Sequence, residues 1–132
     1  MNVFVDTSGF LAILDADDTN HLKAKREWNN IISTGANLFC NNYILVETFA
    51  LIQHRLGMEA VRVLEEDILP LVHIEWIKED THKAGMSAFL TASKRKLSLV
   101  DCVSFETMRD LGLKVAFGFD SHFRDQGFEC IP

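Results

Sequence analysis

The chain has 132 residues, 48% of them hydrophobic, which is enough for one domain with a sizeable core. Seven Gly and two Pro leave no stretch that reads as a linker or a disordered tail. The formal net charge of −6, from 13 Lys and Arg against 19 Asp and Glu, argues against nucleic-acid binding through a generally basic surface.

In chain order, Val3 to Val5 read as a short buried strand. Ser8 to Leu14 follow as a short helix, with Thr7 or Ser8 as its N-cap. After the polar loop Asp15 to Asn20 comes a helix with Leu22, Ala24, Trp28, Ile31 and Ile32 on one face, ended by Gly35. Leu38 to Cys40 form a second strand, and Asn41 or Asn42 caps a helix starting near Tyr43. That helix is apolar on most sides, so a central position is expected. Gly57 breaks it, and Met58 to Leu69 form another helix ending at Pro70. Leu71 to Ile77 are a third strand and Asp80 to Lys94 a long helix. Asp101 to Leu111 are a helix opened by its own carboxylate and closed by Gly112. Lys114 to Phe119 are a fourth strand, and Phe128 to Ile131 a short fifth. Strands alternating with helices predict an α/β fold with a mostly parallel sheet, as a single domain over residues 1–132.

Cys40, Cys102 and Cys130 are odd in number, far apart and set in apolar surroundings. They have no zinc-type spacing, so buried reduced thiols and a cytoplasmic location are expected. The first strand begins at Asn2, which leaves no room for a signal peptide ahead of it, and no apolar run approaches the roughly 18 residues of a membrane span.

Four acidic residues interrupt or close apolar segments. Asp6 ends Val3-Phe4-Val5. Glu47 divides Tyr43-Ile44-Leu45-Val46 from Thr48-Phe49-Ala50. Asp101 follows Leu97-Ser98-Leu99-Val100, and Asp120 follows Val115-Ala116-Phe117-Gly118-Phe119. A charge in such a place needs a partner or a metal, and none of the four segments contains a Lys or Arg. In a parallel α/β sheet, ligands collect beyond the carboxyl ends of the strands. Asp6 and Asp120 lie at such ends. Asp101 and Glu47 lie near the starts of helices, so all four are expected on one edge. Two carboxylates about 5 Å apart repel by roughly 3 kcal/mol at an effective dielectric near 20. Four together require cations or raised pKa values.

Val5-Asp6-Thr7-Ser8, Val46-Glu47, Leu99-Val100-Asp101-Cys102-Val103-Ser104-Phe105 and Phe119-Asp120-Ser121-His122-Phe123 together resemble the PIN-domain nucleases, most of all the VapC-type toxins of bacterial toxin–antitoxin pairs. The resemblance runs from Asn2 to about Phe128. It implies an α/β/α sandwich with strand order 3-2-1-4-5 and Mg²⁺- or Mn²⁺-dependent cleavage of RNA. It implies Asp6, Glu47, Asp101 and Asp120 as the catalytic and metal-site carboxylates. It also implies a cognate antitoxin protein as partner, and a homodimer is expected with it. Thr7, Ser8, Ser104 and His122 are candidates to orient the carboxylates or touch substrate, and each equally suits a structural role as cap, helix hydroxyl or turn residue. The basic run Lys94-Arg95-Lys96 suits either an RNA backbone or a solvated helix end.

Hard oxygen donors suit Mg²⁺ or Mn²⁺, which activate water and neutralise a phosphate. Other enzymes place Asp after a first strand. A haloacid-dehalogenase-like phosphatase needs a second Asp two residues on, where this chain has Ser8. A response-regulator receiver needs an acidic pair near the first strand and a Lys at a late strand end, and neither is present. A PIN-like RNA-processing nuclease outside a toxin pair and a non-catalytic PIN interaction module are the remaining alternatives.

Overall fold

Strands β1 (Asn2–Val5), β2 (Asn37–Asn41), β3 (Val72–Glu75), β4 (Val115–Phe117) and β5 (Glu129–Ile131) form one sheet in the order β3-β2-β1-β4-β5. The structure, a computed structural model, describes all of residues 1–132. Every neighbouring pair of strands is parallel. Phe4 stands opposite Phe39 on one side and Ala116 on the other. Phe39 in turn pairs with His73, and Ala116 with Cys130. Val3, Phe4 and Val5 are all completely buried, as expected of a central strand covered on both faces.

The helices are α1 (Thr7–Leu14), α2 (His21–Ser33), α3 (Asn42–Leu56), α4 (Met58–Val63), α5 (Glu79–Ala92), α6 (Leu99–Leu111) and α7 (Ser121–Asp125). From β1 the chain moves outward through β2 to β3, then returns past β1 to β4 and β5. Right-handed crossovers therefore put α1 to α4 on one face of the sheet and α5 to α7 on the other. The reversal falls between β1 and β4, and a ligand site is expected where those strands end.

Several elements depart from the sequence expectation, each for a local reason. Asp6, not Thr7 or Ser8, is the N-cap of α1, accepting from the Ser8 backbone N–H. Asp101 does not open α6. Ser98 is the N-cap, and Asp101 sits three residues inside a reciprocal capping box. The helix expected over Met58 to Leu69 is α-helical only to Val63. A π-helical turn, Leu64–Ile68, and a 3₁₀ turn, Leu69–Leu71, complete it. Leu64 and Leu69 are both buried, and the wider π turn lets side chains five apart reach one core.

Helix α3 is not enclosed. Ile44, Leu45, Thr48 and Ile52 face inward, but Val46 is 71% exposed. Leu22, expected on the buried face of α2, is exposed, whereas Ala24 and Ile31 are buried. The third strand stops at Glu75 because the Ile77 N–H donates to Asn42 Oδ1 rather than to a neighbouring strand. The fourth stops at Phe117, where Gly118 turns the chain toward β5 through a bond from its N–H to the Ile131 carbonyl. All three cysteines are free thiols, with Cys40 and Cys102 buried. Burial pushes the Cys40 thiol up to about 12, which leaves it inert as a nucleophile. No helix is long and apolar enough to cross a membrane.

Candidate active site

Asp6 leaves the carboxyl end of β1 and is 4% exposed. Its Oδ2 accepts from the Ser8 hydroxyl at 2.8 Å, with the Ser8 N–H further off at 3.4 Å. The same Ser8 Oγ accepts from the Phe119 N–H at 2.9 Å. One hydroxyl thus ties the end of β1 to the segment carrying Asp120. Two glycines make that approach possible. A Cβ on Gly118 would lie 2.8 Å from Ser8 Oγ and 3.1 Å from Asp6 Cβ, and one on Gly9 would lie 2.7 Å from the Phe117 carbonyl. Side chains at either position would force the strand ends apart.

Asp101 is held by the first turn of α6. Its Oδ2 accepts from the Ser98 N–H at 3.0 Å, and its own N–H donates to Ser98 Oγ at 3.0 Å. Asp120 caps α7, its Oδ1 accepting from the His122 N–H at 2.9 Å. The His122 ring comes back over both carboxylates. Its Nδ1 lies 2.9 Å from Asp120 Oδ1 and 3.6 Å from Asp101 Oδ2. Proximity here is not bonding. Nδ1 is buried and no partner meets hydrogen-bond geometry, so the angle decides against the distance.

Electrostatics follow from burial. Desolvation pushes the Asp6 carboxyl up from 3.8 to about 7. The Ser8 hydroxyl bond opposes that shift, and the charges of Asp101 and Asp120 add to it. Asp101 is also raised, chiefly by burial and further by Asp120, against the pull of the Ser98 N–H and of His122.

One ligand atom from each of Asp101, Asp120 and His122 lies within 4.8 Å of the other two. A divalent cation with oxygen ligands at about 2.1 Å spaces its donors about 3 to 4 Å apart, so side-chain shifts of about 1 Å close this set around an ion. An orphaned buried nitrogen facing carboxylate oxygens is a donor set that fits a cation, with Asp6 beside it.

A PIN domain family model matches residues 3–129. The chain belongs to the PIN-domain family. It is 32% identical over 127 residues to the 23S rRNA-specific endonuclease VapC20 of Mycobacterium tuberculosis, covering 96% of this chain and 95% of the relative. The crystal structure of M. tuberculosis VapC20, a sarcin–ricin loop cleaving toxin, matches with a TM-score of 0.86 over 98% of this chain and 99% of that one, at 32% identity. FitAcB from Neisseria gonorrhoeae matches at a TM-score of 0.70 over 98% and 96% of the two chains, at 16% identity, and so supports the fold alone.

Within this PIN domain, the sequence candidates divide into two groups. Asp6, Asp101, Asp120, Ser8 and His122 meet at the ends of β1 and β4. Glu47 stands apart from them. It is half-buried on α3, makes no hydrogen bond or ion pair, and shares a cavity wall with Val100, the neighbour of Asp101. Thr7 turns inward, its Oγ1 accepting from Thr48 Oγ1 at 3.1 Å, which docks α3 onto the start of α1 one residue from Glu47. Ser104 is completely buried and accepts from Asn41 Nδ2 at 3.2 Å. That bond makes Ser104 an anchor between α6 and β2 rather than a group open to substrate.

Ser98, Asn41 and Gly118 escaped the sequence reading. Ser98-x-x-Asp101 was legible as a capping-box spacing. The sequence predicts Asn41 as a local cap, which it is for α3 through the Ile44 N–H at 2.8 Å. Its bonds to Ser104 and Thr107 cross more than 60 residues of chain and leave no local signature.

Proposed function

We propose that this chain is a divalent-metal-dependent endoribonuclease of the VapC type, the toxin of a toxin–antitoxin pair. The observation that carries the reading is the buried, unpartnered Nδ1 of His122 against Asp101 and Asp120, with Asp6 beside them. Asp6, Asp101 and Asp120 would hold the cation, His122 would join them, and Glu47 would complete the acidic set from α3. The imidazole among the donors, softer than oxygen, favours Mn²⁺ over Mg²⁺. A bound ion supplies an activated water and neutralises charge on the phosphate. Ser8 and Ser98 fix the Asp6 and Asp101 carboxylates before substrate arrives, which lowers the reorganisation needed in the reaction.

Likeness to VapC20 makes a ribosomal RNA loop the proposed substrate. Loop nucleotides are already unstacked, and an open strand-end cleft admits them more readily than a perfect duplex. The proposed site of action is the cytoplasm. The antitoxin is a protein that covers the carboxylates, for which an Arg is the complementary group. Self-association as a two-fold dimer is proposed through exposed apolar side chains such as Leu90 and Trp76.

The test is Asp101→Asn. The variant should keep the circular dichroism spectrum of the parent and lose Mn²⁺-dependent cleavage of ribosomal RNA. Undiminished cleavage by a folded Asp101→Asn protein removes the basis of the assignment.

A further inference from the structure

Next to Asp101, with Glu47 of the acidic set on its wall, lies a cavity of about 340 Å³ lined by Asn42, Tyr43, Val46, Glu47 and Val100. We propose that this cavity is a subsite for one unstacked nucleobase of the substrate, next to the phosphate that is cut. The proposal rests on the endoribonuclease reading and adds to it a place where the RNA is gripped.

Position comes first. Tyr43 and Glu47 are four residues apart on α3 and so lie one above the other on the same helix face. Val100 precedes Asp101 in the first turn of α6. The cavity therefore opens between the two helices that carry Glu47 and Asp101. A phosphate at the carboxylates would leave a flanking nucleotide within reach of it.

Chemistry comes second. Tyr43 supplies an aromatic face whose orientation is fixed from outside α3. Its hydroxyl is hydrogen-bonded to His82 Nδ1 on α5, and the two rings stand 5.8 Å apart at 55°. Val46 and Val100 add aliphatic wall, and Val46 is exposed although apolar. Asn42 Oδ1 accepts from the Ile77 N–H at 2.7 Å, while its Nδ2 has no acceptor within the protein. A flat π surface, aliphatic sides and one free amide donor match a nucleobase, which stacks through its face and accepts through its edge. Glu47 on the same wall marks the end of the cavity nearest the acidic set, so a phosphate held there would leave its flanking base facing Tyr43. An aliphatic peptide side chain in the same place would leave the Asn42 donor unused.

The experiment uses the full chain with Mn²⁺ and a hairpin RNA copying the sarcin–ricin loop of 23S rRNA. The hairpin is supplied intact and with an abasic nucleotide on either side of the cut, and total ribosomal RNA is run in parallel. Loss of one base–aromatic stack corresponds to about 5- to 150-fold. Tyr43→Ala is therefore expected to lower kcat/KM on intact hairpin by a factor in that range. On the matching abasic hairpin, wild type and Tyr43→Ala should cut equally. Tyr43→Phe, which keeps the ring and loses the bond to His82, should recover most of the loss that Tyr43→Ala shows on intact hairpin. A merely structural tyrosine would instead make Tyr43→Ala equally defective on intact and abasic RNA, and that result overturns the subsite. Wild-type rates from Tyr43→Ala on intact RNA overturn it too, leaving the nuclease reading intact. A wild-type protein that neither binds nor cuts either RNA overturns the nuclease reading and the subsite with it.

Discussion

Replacing Asp6 with Asn should make the metal-free protein more stable, and only above acidic pH. Asp6 is 4% exposed, and burial with two neighbouring carboxylates raises its pKa from 3.8 to about 7. An acid with a raised folded-state pKa binds its proton more tightly in the folded chain. Below about pH 4 both states are protonated and the residue costs nothing. Between about pH 4 and pH 7 the unfolded chain ionises while the folded chain does not, so stability falls as pH rises. Above about pH 7 the cost is constant. A displacement from 3.8 to about 7 corresponds to about 4 kcal/mol at 1.36 kcal/mol per unit. Asn keeps an oxygen to accept the Ser8 hydroxyl but brings an amide N–H₂ that needs a partner, which takes back about 1–3 kcal/mol. A net gain of about 2 kcal/mol is expected at pH 8, or several degrees in Tm for a chain of this length. The assay is thermal unfolding of wild type and Asp6→Asn in chelator from pH 4 to 8. The gap should open with rising pH, and excess Mn²⁺ should close it by stabilising wild type more, by about 2.7 kcal/mol at a hundredfold excess over Kd. A gap of the same size at pH 4 and pH 8 would refute the assignment of the strain to Asp6 ionisation.

Two further substitutions separate architecture from chemistry. Gly118→Ala would place a methyl group 2.8 Å from Ser8 Oγ and 3.1 Å from Asp6 Cβ, so it should cost about 1–3 kcal/mol in urea unfolding and weaken Mn²⁺ binding. Unchanged metal affinity would show that the Phe119–Ser8–Asp6 link does not shape the site. Ser98→Ala should lower stability by about 1 kcal/mol through loss of the cap to the Asp101 N–H. It should leave most RNA cleavage intact, because the Ser98 N–H still holds Asp101 Oδ2; collapse of cleavage without loss of stability would contradict that division.

The fold was legible where one residue type decides the local outcome. Val3-Phe4-Val5 followed by Asp6 can hardly be anything but a buried strand meeting a site, and the strand order came with the family resemblance. Asp101 and Asp120 were legible for the same reason, as charges closing apolar runs. What failed to show depended on contacts distant in sequence. Gly118 matters because residues 6 and 8 come up against it, and Ser104 is occupied because Asn41 lies 63 residues back. The exposure of Val46 was hidden because a hydrophobic residue on an apolar helix reads as core whether or not anything covers it. The π turn was hidden by Leu64 and Leu69, whose five-residue spacing belongs to no regular α-helical face.

The acidity of the chain and its proposed RNA substrate are reconciled at one point. Asp6 and Asp101 are packed, with Asp120 beside them, where the burial that orders them also opposes their ionisation. Three occupants relieve that conflict. A proton on Asp6 does so in the free protein up to about pH 7. A divalent cation does so on the proposed reading, and its binding must displace the proton, so metal affinity rises with pH through that range. A guanidinium from a partner protein would do so as well, with the geometry to bridge two carboxylates. On the proposed reading, proton, metal and partner would compete for one set of oxygens. On that reading, whatever neutralises the carboxylates without activating water would silence the centre. That competition makes one measurement informative about all three. Proton release on Mn²⁺ binding, followed by calorimetry in buffers of different ionisation enthalpy, should be substantial at pH 6 and small at pH 8. It should fall in Asp6→Asn, which removes the more buried of the two raised carboxyls. Equal proton release from wild type and variant at pH 6 would mean that Asp6 lies outside the shared set.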